Sequence, residues 1–62
     1  MSRYRELATE LDGIGSTLDE LSFDLLQEAM AAGATKRPDA DKVLTQARRA
    51  VEKAARLLES LD

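Results

Sequence analysis

Apolar residues recur along the first half of the chain at Tyr4, Leu7, Leu11, Ile14, Leu18, Leu21 and Leu25, in alternating steps of three and four. That spacing makes the heptad seam of an amphipathic helix and does not fit the every-second-residue rhythm of a strand. The phase holds without a slip to Leu25 and continues weakly through Glu28 and Ala32. Ser2 stands where an N-cap belongs, so the pattern predicts a first helix over about residues 2–32. Gly13 and Gly15 lie inside it at about 1 kcal/mol each relative to alanine, and Thr17 with Glu20 has the spacing of a capping box that could start a fresh helix. Ile14 stays in phase between the two glycines, which favours one continuous helix with at most a local bend.

Gly33 has the character of a left-handed C-terminal residue, and Pro38 cannot continue the helix before it, so residues 33–39 read as a turn. Asp39 is placed as the next N-cap, with Asp41 adding negative charge to a first turn whose dipole favours it. The second helix is expected over about residues 40–61. Its seam is Ala40, Leu44, Ala47, Val51, Ala54, Leu58 and Leu61, widened on one side by Val43, Ala50 and Leu57. Folding one helix back on the other pairs the two seams in layers: Leu25 with Leu44, Leu21 with Ala47, Leu18 with Val51, Ile14 with Ala54, Leu11 with Leu58 and Leu7 with Leu61. Large residues often meet small ones, as interdigitating layers require. The expected fold is all-α, an antiparallel two-helix hairpin occupying residues 1–62 as one domain.

Size then changes the picture. A core within 62 residues supplies only about 3–5 kcal/mol, and without a single Cys or His neither a disulfide nor an ordinary zinc site can add to it. Association is the remaining common route, and the expectation is a homodimer in which two hairpins form a four-helix bundle. A stripe of small residues seven apart, Ala8, Gly15, Ser22 and Ala29, would let another helix approach closely. With Val43, Ala50 and Leu57 on the second helix it is the predicted self-association site.

The net charge of −3 is unevenly divided: residues 1–33 carry −5 and residues 34–62 carry +2. An acidic helix beside a basic one is biased towards pairing, although exposed ion pairs contribute only about 0–1 kcal/mol each. Phe23, Leu26 and Met30 form a second apolar set near the turn and are the predicted partner-binding residues. Lys42, Arg49, Lys53 and Arg56, with Gln46 between them and Arg48 beside them, make a basic stripe that is a candidate nucleic-acid-binding surface. Against it, the chain is acidic overall, its aromatics Tyr4 and Phe23 are not interleaved with the stripe, and Glu52 lies three or four residues from Arg48, Arg49 and Arg56. Glu20, Asp24 and Glu28 are spaced by four, but a di-iron site of the bundle type also needs Glu-x-x-His motifs, so they read as a solvated face.

No base, nucleophile or soft ligand of the His or Cys type exists, and no Gly-rich phosphate loop occurs, so the chain is not expected to be an enzyme or to hold a metal or cofactor. No apolar run approaches the roughly 18 residues of a membrane span, and the start of the chain leads into no signal-like segment, which makes the cytoplasm the expected location and a membrane an unexpected partner. In length and helix pattern the chain resembles the Rop-type helical hairpin, which pairs into a four-helix bundle and binds RNA, and the small subunit of exodeoxyribonuclease VII, another short two-helix chain. A likeness of fold does not transfer function. The expected role is a small non-catalytic interaction module that self-associates and docks a protein partner or serves as an accessory subunit; the alternative is a small nucleic-acid-binding regulator.

Overall fold

A computed structural model describes residues 2–36 and 38–61; Met1, Arg37 and Asp62, and with Arg37 one residue of the expected turn, lie outside it. Two helices, α1 (Arg3–Ala31) and α2 (Asp39–Glu59), pack against each other, and the described residues include no strand. The Ser2 hydroxyl accepts from the amides of Tyr4 at 3.0 Å and Arg5 at 3.4 Å, so the first turn's free donors are met as the sequence requires. α1 runs unbroken through Gly13 and Gly15. Thr17 does not cap a new helix there; its hydroxyl donates to the Gly13 carbonyl at 3.2 Å, the back-bond of a threonine within a helix.

α1 ends in a Schellman motif. Gly33 takes φ 89°, its amide donates to Met30 at 3.0 Å, and the Ala34 amide reaches back to Ala29 at 2.9 Å. At the start of α2 the sequence expectation shifts by one residue. Pro38, not Asp39, is the N-cap, with φ −61° and ψ 150° and no side-chain capping bond, while the Asp41 amide donates to its carbonyl at 3.0 Å. The proline ring already fixes the angle at which the chain enters the helix. Asp39 and Asp41 then both sit inside the first turn, where the positive end of the helix dipole favours their charge.

The larger correction concerns which sides of the helices meet. Ala8 and Gly15 are buried, Leu11, Leu18, Ser22, Leu25 and Ala29 are half-buried, and Tyr4, Leu7, Ile14 and Leu21 are 47–51 % exposed. On α2, Asp41 and Ala55 are buried and Leu44, Arg48, Val51 and Leu58 half-buried, while Ala40, Val43, Ala50, Leu57 and Leu61 are exposed. Each helix is therefore rolled by about 50° from the orientation that would centre its leucine seam on the other, half the 100° between successive residues. The predicted layers of Leu7 with Leu61, Ile14 with Ala54 and Leu21 with Ala47 do not close as core layers. The cause is steric. Ala8, Gly15 and Ala55 have no side chain beyond Cβ, so the backbones come closest there, and a Cβ built on Gly15 would already lie 3.8 Å from Val51 Cγ1. Gly15 opposite Val51 sets the register, which extended along the chain brings Ala8 level with Leu58 and Leu11 level with Ala55, small against large in alternation.

The result is a slab 48 × 15 × 9 Å in Cα extent, with a radius of gyration of 14.6 Å against about 11 Å for a compact domain of this length. No large side chain is fully buried, and the buried apolar residues are Ala8 and Ala55 alone among the described residues. No helix among the described residues is long and apolar enough to cross a membrane.

The three glycines carry opposite expectations. Nothing lies within 4 Å of a Cβ at Gly13, so Gly13→Ala should raise the unfolding free energy by about 1 kcal/mol. Gly33 is held at positive φ, and Gly33→Ala should lower it by about 1–2 kcal/mol. Urea unfolding followed by circular dichroism measures both, and a Gly33→Ala protein as stable as the parent would contradict the turn described.

Candidate interaction face

Rolling both helices in the same sense places their displaced seams on one side of the hairpin. At 100° per residue, Leu7, Ile14 and Leu21 project from α1 towards the side on which Val43, Ala50 and Leu57 project from α2. A groove lined by Leu21, Leu25, Ala40, Val43 and Leu44 joins the two helices near the turn and is bordered by Asp24 and Glu28. The half-buried Leu11, Leu18, Leu44, Val51 and Leu58 lie along the floor of this face, between the exposed rows.

The predicted self-association residues thus separate into two groups. Val43, Ala50 and Leu57 are exposed, Val43 at 63 % and Leu57 at 59 %. Ala8, Gly15, Ser22 and Ala29 instead point into the hairpin's own interface, Ala8 and Gly15 fully so, and are occupied by α2. Their place on the open side is taken by Leu7, Ile14 and Leu21. The signal for this was present: each helix carries an apolar stripe three heptad positions wide, broader than one neighbouring helix covers, and the smallest residues belong where backbones approach most closely.

The opposite side of the hairpin is polar. Arg48, half-buried on α2, pairs through Nε with Asp19 of α1 and through Nη1 with Glu52 one turn along its own helix. Hydrogen bonding, first from Asp19 and then from Glu52, raises the guanidinium pKa above its ordinary value, so Arg48 is charged at any working pH. The residue sits beside the predicted basic stripe in sequence but turns inward in the fold. Lys42, Arg49, Lys53 and Arg56 all remain exposed. Asp41, Lys42, Thr45, Gln46 and Arg49 line a shallow depression, in which the buried Asp41 carboxylate sets negative charge beside two of the cations and weakens its attraction for phosphate.

Phe23 and Met30, 61 % and 73 % exposed, also lie on this second side near the turn, with Leu26 half-buried between them. Leu26, Ala29, Met30, Ala34, Lys36 and Pro38 line a depression there. Glu20, Asp24 and Glu28 are exposed on α1, and the described residues hold no group of three or more acidic side chains arranged around a metal position.

The Asp19–Arg48 pair joins the two helices through opposite charges and is open to screening by salt. In a double-mutant cycle with Asp19→Asn and Arg48→Met, a favourable coupling at low ionic strength should shrink in molar salt, since the groups are partly exposed and screened. An additive cycle at low salt would show that the pair does not hold the helices together.

No protein-family model, curated protein or solved structure matches the chain.

Proposed function

We propose that this chain is a non-catalytic interaction module whose hairpin pairs with a second copy as a four-helix bundle and leaves the Phe23, Leu26 and Met30 surface for a protein partner, as an accessory subunit would. The observation that carries this reading is the apolar face running along both helices, with Leu7, Ile14, Leu21, Val43 and Leu57 each 47–63 % exposed. Its area supports a partner of the same kind. The chain exposes 4963 Å², whereas a folded monomer of 6.8 kDa exposes about 4,000 Å². The excess of about 1,000 Å² is close to the roughly 800 Å² that one partner contributes to a standard interface. Scattered exposed leucines need no explanation, whereas a continuous stripe of this size supports reading it as an interface.

Phe23 and Met30 project from the side opposite the paired face, so a dimer would leave them open. An aromatic ring and a flexible thioether suit an apolar protein surface better than a charged polymer. A nucleic-acid role would have to run through Lys42, Arg49, Lys53 and Arg56, and no aromatic side chain stands among them to stack a base.

Sedimentation equilibrium should give a dimer at micromolar concentration. Ile14→Glu, at the centre of the face, should shift the equilibrium to monomer by at least 100-fold, about 2.7 kcal/mol, while Gln27→Ala on the far side of α1 should leave it unchanged. A parent chain that stays monomeric above 100 μM, roughly 5 kcal/mol of association free energy, would overturn the reading. Titration with duplex DNA and with single-stranded RNA at about 20 mM salt, where phosphate attraction is strongest, should show no binding.

A further inference from the structure

Phe23 and Met30 share their side of the hairpin with exposed cations, and the two kinds of group together restrict what can dock there. At about 100° per residue, Phe23, Leu26 and Met30 lie roughly 20–80° round α1 from its contact line with α2. Thr45, Arg49 and Lys42 lie roughly 60–120° round α2 towards the same side. Lys36 lines the depression that Leu26, Ala29 and Met30 form with Pro38. The register of Gly15 opposite Val51 brings Phe23 level with Lys42 and Val43, with Arg49 less than two helical turns beyond it. The apolar residues and the three cations thus follow about 20 Å of one groove between the helices. Carboxylates on this side are engaged or withdrawn. Asp19 and Glu52 both pair with Arg48, and Asp41 is 4 % exposed. Glu20 lies further round α1, beyond Phe23 and away from α2. The positive edge of the surface therefore runs along the turn and α2.

An occupant has to meet both features. Two packed helices offer a groove, and a groove of this kind takes a third helix by its apolar stripe. Phe23, Leu26 and Met30, spaced i, i+3 and i+7, are placed to lie under such a stripe. We propose, on the reading of this surface as a docking site, that its occupant is an acidic amphipathic helix of another protein. It spans about 14 residues, and its carboxylates lie along the edge that covers Lys36, Lys42 and Arg49. Asp41 beside Lys42 reduces the pull on any anion, so charge selects the partner and apolar contact holds it. A nucleic acid lacks the second half of that division. Its phosphates would meet three cations without the apolar contact, and one phenyl ring among aliphatic side chains makes no stacking row.

Two synthetic helical peptides of about 14 residues, titrated against the intact chain by fluorescence anisotropy at about 50 mM salt, supply the test. Both carry leucines along one stripe; one has glutamates along a flank of that stripe, the other lysines at the same positions. The acidic peptide should bind at least about ten-fold tighter, and the margin should narrow several-fold in about 0.5 M salt. Lys42→Glu with Arg49→Glu should reverse the preference. Phe23→Ala with Met30→Ala should weaken both peptides at least about ten-fold at either salt concentration. All four side chains are exposed, and circular dichroism checks that each variant keeps its helices. Equal affinity for the two peptides, lost with Phe23 and Met30, would overturn the acidic class while leaving the docking surface standing. Binding of neither peptide at about 1 mM, or binding untouched by Phe23→Ala with Met30→Ala, would remove the docking surface itself. Single-stranded RNA that binds as tightly as the acidic peptide, and is unaffected by Phe23→Ala with Met30→Ala, would give the cations to a nucleic acid and overturn the proposal.

Discussion

How near two helix backbones can come at Ala8, Gly15 and Ala55 decides the rest of this structure. Side chains that stop at Cβ or before it set a short spacing, and a short spacing dictates the roll of each helix, because larger residues must pass to either side of the contact. Leu11, Leu18, Leu44, Val51 and Leu58 flank the contact half-covered, and Leu7, Ile14 and Leu21 are about half exposed beyond them. The contact holds the helices in place without burying much. At about 25 cal/mol per Å² of apolar surface, alanine and glycine contribute little, and no large side chain is fully enclosed. The hairpin is thus well specified in geometry and weakly supported in free energy.

The chain's ends and turns were legible because each rests on one residue with few alternatives. Ser2 caps α1, Gly33 adopts the positive φ that closes it, and the heptad phase carries α1 through two glycines without a break. The roll was not legible, and for a physical reason. A heptad pattern states which residues share a stripe but not whether that stripe faces one neighbour squarely or two at an angle. Alanine sharpens the ambiguity, since it serves equally as a helix former on a free surface and as a spacer in a tight contact; Ala8 and Ala29 were assigned to the wrong side on that account. Asp41 and Arg48 misled in the opposite way. Both are charged, so neither belonged on an apolar seam, yet both face α1 at heptad spacing with Ala55.

Charge at those inward positions divides the labour between the hairpin's two sides. Arg48 draws Asp19 and Glu52 together on the polar side, fixing α1 against α2 by direction more than by burial, since ion pairs of this exposure are modest in free energy. An arginine fork specifies an angle in a way that a leucine contact does not. The polar side therefore orients the helices, and the apolar side is left broad and unbroken.

The Schellman turn at Gly33 has a bearing on how the chain reaches this state. Every contact between the helices is a contact across that one turn, so closing it once brings Leu25 and Leu44 near, and each further layer towards the termini adds without another large loss of loop entropy. Such a chain zips, and local topologies of this kind fold in microseconds to milliseconds. In the proposed dimer the slow event is then the encounter of two finished hairpins, whose rate scales with concentration. On the proposed reading, what would ordinarily be a late step of core formation inside one molecule becomes a second-order reaction that the cell sets through the amount it makes.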